Sequence, residues 1–508
     1  MNDGRIKKSV QNVTTGFLYQ VLMLILSFVS RTIFIYSLGT EYLGLNSIFS
    51  DVLNLLSMVD LGFGTAMAFS FYKPLAENDE KKIAALICFY KKVYNFIALA
   101  IFVLGMFCIP FLKYIVNTKE QVAHLEIYYL FSLTSVVVSY LFVYKTTLLT
   151  ADQKNYKLLQ INMWSGVLKT ILQIVVLLIT KNYIGYLFIG VAIQFLNNLA
   201  ASRKTEAEYP YIRRKGQTEI LNRQEKGQIL ANMKSVFIYK FSSTALGATD
   251  NIIISIVIGT AMVGIYSNYL MISNKLLLIE QIVFSALTAS VGNVIAKENT
   301  EKRLQVFQAL QSASFIFSGI ICTAFCLLAG DVIQVWLGEE YRLSFLTVIA
   351  ISLNTYLSCV LQPLWIYRDA TGIYIKTKYA MLAAAVVNVV LSLLLGKAIG
   401  IAGVIFASAI ARLSTYFWYE PKLLFAEYFN AKVKNHYLSI LKNMLLVIAV
   451  TGIFSLLTLP LQIDSWLSLL VKSAGVVGGC SVVFLLAYFK TEGFQIIINK
   501  MTMFLKKL

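Results

Sequence analysis

Ten ionisable side chains are read as standing at mid-span in the long apolar runs of this sequence. Arg31, Lys169, Lys240, Lys275, Arg412 and Lys472 are basic; Asp51, Asp60, Asp250 and Glu280 are acidic. A charge in mid-membrane costs free energy, so such groups face a wet cavity, pair with one another or mark a transport path. In a low-dielectric site Arg and Lys favour anionic oxygens, and Arg can grip a phosphate through two parallel hydrogen bonds. Arg31, Lys240, Lys275 and Arg412 are therefore the candidates for binding a phosphate or pyrophosphate head. Asp60, Asp250 and Glu280 are candidates for ion coupling, or for neutralising those cations as structural bridges. Lys472, near the end of its run, is expected to snorkel towards the interface.

Helical spacing groups these residues with other polar side chains. Asn46, Ser50, Asn54, Ser57, Asp60 and Gly64 recur every three or four residues along one stripe. Lys240, Thr244, Gly247 and Asn251 form a second stripe, with Ser243 and Asp250 on its edge, and Gln20, Ser27 and Arg31 align on a third. Asn274, Gln281 and Ser285 share a face from which Glu280 points away. These wet faces are expected to line a central cleft. The six cysteines fall in or beside apolar segments, and the two histidines, His124 and His436, lie far apart, so neither a metal site nor a cofactor is expected. The 29 Tyr and 33 Phe read mainly as interfacial belt and helix packing.

The elements that position these groups follow from composition. Of 508 residues 58% are hydrophobic and 14% charged, far below the roughly one quarter charged of a soluble chain. With about 20 apolar residues needed per span, fourteen runs qualify: 13–38, 43–72, 87–112, 124–149, 158–180, 183–201, 234–258, 263–294, 308–336, 345–367, 379–396, 401–423, 440–460 and 465–489. The first is too long for a signal-peptide core and no small-residue cleavage site follows it, so it is expected to be retained. Of the 44 Lys and Arg, 33 lie in or beside the segments on one side and 5 on the other. Positive segments stay cytoplasmic, which puts both termini inside. The net charge of +18 is thus spread over short loops and does not suggest nucleic-acid binding.

The longest inside loop, 202–233, carries Arg213-Arg214-Lys215 and divides the chain into an N-lobe at 1–201 and a C-lobe at 234–425. It suits either a linker lying on the anionic inner leaflet or a solvated tether. An offset of 220 residues superposes Gly39-Thr40 and Gly44 on Gly259-Thr260 and Gly264, and sets Asp60 opposite Glu280. One further residue of offset superposes Glu77-Asn78-x-Glu80-Lys81 on Glu298-Asn299-x-Glu301-Lys302. Two six-helix halves inserted the same way up imply a pseudo-twofold along the membrane normal. Residues 426–508 add two further helices and a tail outside the repeat. The expected fold is an all-α integral membrane protein of about 14 helices, with two parallel six-helix repeats.

The segment from Arg31 through Gly39 to Glu41-Tyr-Leu-Gly44, followed by Asp60-Leu-Gly62-Phe-Gly64-Thr-Ala66 and Tyr72-Lys-Pro-Leu-Ala-Glu77-Asn-Asp, resembles the opening of Wzx-type polysaccharide flippases. These belong to the superfamily of multidrug and toxin extruders and lipid II flippases. The motif-level likeness covers mainly residues 31–82, and the topology extends it over the chain. The resemblance implies a V-shaped two-lobe transporter with a cationic cavity and rocking alternating access, and Arg31 is the position that matches a pyrophosphate contact. It also implies an undecaprenyl-pyrophosphate-linked oligosaccharide as cargo, membrane lipids and other polysaccharide-assembly proteins as partners, and the bacterial cytoplasmic membrane as location. A drug or cation antiporter, whose cavity should be acidic, and a lipid II flippase are the alternatives. Short loops without an Asp-x-Asp cluster argue against a membrane polymerase or other enzyme.

Overall fold

The computed structural model describes residues 2–60, 63–119, 122–213, 223–461 and 463–505. The side chains described exclude those of 2–14, 17, 59, 60, 63, 65, 66, 69, 223–237, 286, 289 and 500–505. Gly62, Arg214 and Lys215 therefore lie outside the described residues, and of Asp60 and Ala66 only the backbone is described. Every regular element is helical among the described residues.

The chain forms two compact units, Met1–Gly264 and Ile265–Leu508. The first holds α1 (Asn2–Leu56), α2 (Phe63–Glu77), α3 (Glu80–Cys108), α4 (Leu112–Ile115), α5 (Leu125–Ala151), α6 (Asn155–Thr180), α7 (Tyr183–Glu208) and α8 (Arg223–Val257). It also holds the start of α9 (Thr260–Lys297), whose remainder belongs to the second unit. There follow α10 (Thr300–Leu337), α11 (Phe345–Thr371), α12 (Tyr374–Ile399), α13 (Ile401–Ser414), α14 (Tyr416–Leu424), α15 (Lys434–Thr458), α16 (Trp466–Phe489) and α17 (Glu492–Leu505).

Among the described residues eleven helices are long and apolar enough to cross a membrane, or twelve if the pair Thr260–Ser285 and Ser290–Lys297, bent by 42°, counts as one span. Two features separate this from the fourteen expected. The first two runs are two helices that meet at Gly39, whose backbone is not helical, and α1 spans both, so they count here as one. The seventh maps onto α8, whose Lys240, Ser242, Ser243, Thr244, Thr249, Asp250 and Asn251 make it too polar to count. The chain is a multi-pass membrane protein with an all-helical fold.

Positions 220 apart occupy equivalent places at two helix junctions. Gly39 and Gly259 both have positive φ, 85° and 141°, where a side chain would be strained. A Cβ at Gly44 would fall 2.0 Å from the carbonyl oxygen of Thr260, and one at Gly264 would fall 2.1 Å from that of Thr40. Glycine alone permits this reciprocal approach. Asn117 and Thr260 close it by exchanging hydrogen bonds: Thr260 N donates to Asn117 O at 2.7 Å and Asn117 N to Thr260 Oγ1 at 3.0 Å. The same offset relates two helix starts. Asp79 caps α3 by accepting from Lys82 N at 2.9 Å, and Asn299 caps α10 by accepting from Lys302 N at 2.9 Å. The caps thus keep the 220 register, and the extra residue of offset inferred from the Glu-Asn-x-Glu-Lys motif is not needed.

The basic ends of α5, α6 and α7 are tied by charge. Glu206 takes Lys145 at 2.5 Å and Arg213 at 2.6 Å, while Glu208 takes Lys154 at 2.7 Å and also Lys157. Burial pulls the Lys154 ammonium down, but Asp152 at 2.7 Å and Glu208 outweigh it and hold its pKa above the ordinary value. In the second unit α15 and α16 dock on α10 around Asn443, which is buried. Its amide donates to Tyr488 at 2.9 Å and its oxygen accepts from Tyr356 at 3.0 Å and Ser318 at 3.2 Å. The two helices outside the repeat are thus bonded into this unit through satisfied buried polar groups.

Candidate functional site

In the first unit Arg31 lies on α1 before the Gly39 kink, close enough to Tyr186 of α7 to interact with it electrostatically. The Tyr186 ring is held by Phe34 at 5.1 Å and Tyr183 at 6.0 Å. Tyr186 also lines a cavity of about 270 Å³. The polar stripe of the second expected span supplies Asn46, Ser50 and Asn54 to that cavity, as its spacing anticipates. Ser132 and Ser135 come from α5, and Lys169 and Gln173 from α6. Gln173 is fixed by donating to Tyr186 O at 3.0 Å.

Lys169 is the group that sequence reasoning left outside the candidate set. Among the described residues it makes no hydrogen bond or ion pair, and the cavity wall holds no acid. The signal was present in its spacing, since Lys169 and Gln173 sit one helical turn apart on an otherwise apolar span. Lys240 on α8 is half-buried and also makes no ion pair among the described residues. Asp51 was noted as an intramembrane acid but given no role. The structure brings it to Asn251 of α8, whose Nδ2 donates to Asp51 Oδ2 at 2.6 Å. Asp250, its neighbour, is half-buried. The side chain of Asp60 lies outside the described residues.

In the second unit Lys275 on α9 is half-buried without an ion pair among the described residues. Arg412 on α13 donates from Nη1 to Ser358 Oγ at 2.9 Å, and its Nε is buried without a partner. None of Lys240, Lys275 and Arg412 is neutralised by a described acid. Glu280 is 2% exposed, within hydrogen-bonding reach of Cys359 on α11, and one of its oxygens has no partner. It faces away from Asn274, Gln281 and Ser285, which are exposed, as their spacing anticipates.

Lys472 does not snorkel. Its ammonium pairs with Asp331 of α10 at 2.6 Å, both side chains being 11% exposed, and Arg342 approaches the same carboxylate at 3.7 Å. Snorkelling needs a free path to water, whereas here an acid on a packed neighbouring helix takes the charge. These groups line a second cavity of about 530 Å³ with Gln334 and Asp464.

No family model matches the sequence, and no curated protein matches it. Solved structures do. The lipid II flippase MurJ in an inward closed conformation is similar with a TM-score of 0.65 at 15% identity, over 96% of this chain and 100% of that one. The Vibrio cholerae MATE transporter VcmN, in a mutant form, gives 0.56 at 14% identity over 83% of this chain and 98% of that one. A multidrug resistance MATE family transporter of the MOP superfamily, facing inward, gives 0.54 at 14% identity over 78% and 93%. Together with the long apolar helices, these likenesses give the chain the multi-pass helical membrane fold found in MurJ and in MATE transporters of the MOP superfamily.

Proposed function

We propose that this protein is a flippase that moves an undecaprenyl-pyrophosphate-linked oligosaccharide from the inner to the outer leaflet of the bacterial cytoplasmic membrane, for surface-polysaccharide assembly. The observation that carries the reading is the state of the intramembrane cations. Lys169, Lys240, Lys275 and Arg412 form no ion pair with any described acid, which suits groups that wait for an anionic partner. The polar head would be sheltered by Arg31, Lys240, Lys275 and Arg412 while the polyprenyl tail stays in lipid. Both termini would face the cytoplasm, alternating access would carry the head across, and Asp60, Asp250 or Glu280 would couple the cycle to an ion. Likeness to the lipid II flippase MurJ supports a lipid-linked cargo.

The rival reading is a drug or cation antiporter. A cavity for organic cations should be acidic, and the 270 Å³ cavity of the first unit has a lysine and, among the described residues, no acid in its wall. The test is Arg31→Ala, with Lys275→Gln and Arg412→Gln beside it, in cells that depend on the protein for glycan export. Each variant should be present in the membrane at wild-type level while export falls at least tenfold. Normal export by Arg31→Ala would remove the head-group assignment. Efflux of organic cations by the wild type, without glycan export, would favour the antiporter.

A further inference from the structure

The cavity beside Lys169 has the makings of a binding site of its own. It lies at mid-height of the first unit: Lys169 is near the middle of α6, Ser135 near that of α5, and Ser50 near that of the α1 segment following Gly39. A lysine at that depth with no acid beside it is costly unless something compensates its charge. Among the described residues nothing does. The groups around it are neutral donors. Asn46, Ser50, Asn54, Ser135 and Tyr186 carry polar hydrogens and no charge. Gly190 of α7 faces the lysine and Gln173: a Cβ there would sit in ordinary contact, 3.4 Å from Gln173 Nε2 and 3.9 Å from Lys169 Cε.

Volume limits the occupant. At 270 Å³ the cavity holds the share of roughly nine waters and falls just under the range of about 300–1,000 Å³ that drug-sized ligands occupy. The cavity is open on one side, so one charged group with its immediate substituent fits within the wall while the rest of a larger molecule stays outside.

We propose that this cavity is an oxyanion site, in which the Lys169 ammonium and the surrounding amide and hydroxyl donors hold a single carboxylate or phosphate group. The anion has two possible sources, an acidic sugar or phosphate of the transported glycan, or a free inorganic anion. The former would make this cavity the place where a charged glycan is told from a neutral one. The inference rests on the cavity itself and needs no transport to be tested.

The experiment uses the full chain purified in nanodiscs, titrated with inorganic phosphate, with glucuronate and with glucose, reading heat of binding and thermal stability. Phosphate or glucuronate should bind and raise Tm, and glucose should do neither. Lys169→Gln should weaken binding at least tenfold and Lys169→Arg should retain it. Lys169→Gln removes an uncompensated charge, so its fold should survive; Gly190→Val, which crowds the lysine stem, gives a second variant that should also weaken binding. Binding of glucuronate assigns the site to an acidic sugar of the glycan; where phosphate binds and glucuronate does not, glucose 1-phosphate as a fourth ligand assigns it to a glycan phosphate if it competes with inorganic phosphate, and to a free inorganic anion if it does not. Absence of binding by the wild type, or unchanged binding in Lys169→Gln, would overturn the proposal. Loss of export in Arg31→Ala with intact anion binding would separate this site from the head-group set.

Discussion

At the scale of single residues, the outcome for each charge turns on what its neighbouring helix supplies. Lys472 and Lys169 look alike in the sequence, each a lone lysine in an apolar run. Across the packed interface one meets Asp331 at 2.6 Å and the other meets only neutral donors. The difference was illegible beforehand because Asp331 is 141 residues away from Lys472 in the chain. Lys472→Met should therefore leave a buried carboxylate short of a cation and destabilise the second unit by about 3 kcal/mol, the low end for breaking such a pair. The double variant Lys472→Met with Asp331→Leu should recover most of that loss, because the desolvation cost disappears with both charges. Denaturation in detergent across the four-protein cycle would measure it. Additive losses would mean that Arg342, rather than Lys472, is the effective partner of Asp331.

At the scale of elements, polar stripes, repeated glycines and the helix break at Gly39 were legible. Periodicity put Asn46, Ser50 and Asn54 on one face, and the structure places all three on one cavity wall. What packs against that break, the Thr260 junction, was not legible, because hydropathy does not register contacts between elements far apart in the chain. The 220-residue register explains why Gly44 and Gly264 recur: each gives way to the carbonyl of the threonine paired with the other. Backbone cannot step aside as a flexible side chain can, so Gly44→Ala or Gly264→Ala should cost about 1–3 kcal/mol through overpacking. Gly292→Ala is the matched control, since a Cβ there meets nothing within 4 Å and alanine favours the helix. Hydrogen exchange at the amides of Asn117 and Thr260 should quicken in the first two variants and stay unchanged in the third. Protection unchanged in all three would mean that the two junctions are not held by this contact.

At the scale of the whole molecule, the orientation inferred from the Lys and Arg bias has an electrical consequence. If the cargo carries two negative charges on its pyrophosphate and moves outward, an inside-negative potential of 100 mV favours net transfer by roughly 4.6 kcal/mol, at about 2.3 kcal/mol per charge. The cations of the binding set do not cancel this. Bound to the head they make the outward step nearly neutral, but the empty carrier then returns with those positive charges, and an inside-negative potential draws them inward. Either step leaves the charge moved per cycle equal to that of the cargo, and coupling by Asp60, Asp250 or Glu280 would add to it or offset it. In proteoliposomes with the protein oriented as proposed, an inside-negative potential should speed outward flipping of a lipid-pyrophosphate glycan, and the reversed potential should slow it. Flux that is the same under both would require one compensating cation to leave with each charge of the cargo, and would remove potential-driven transport.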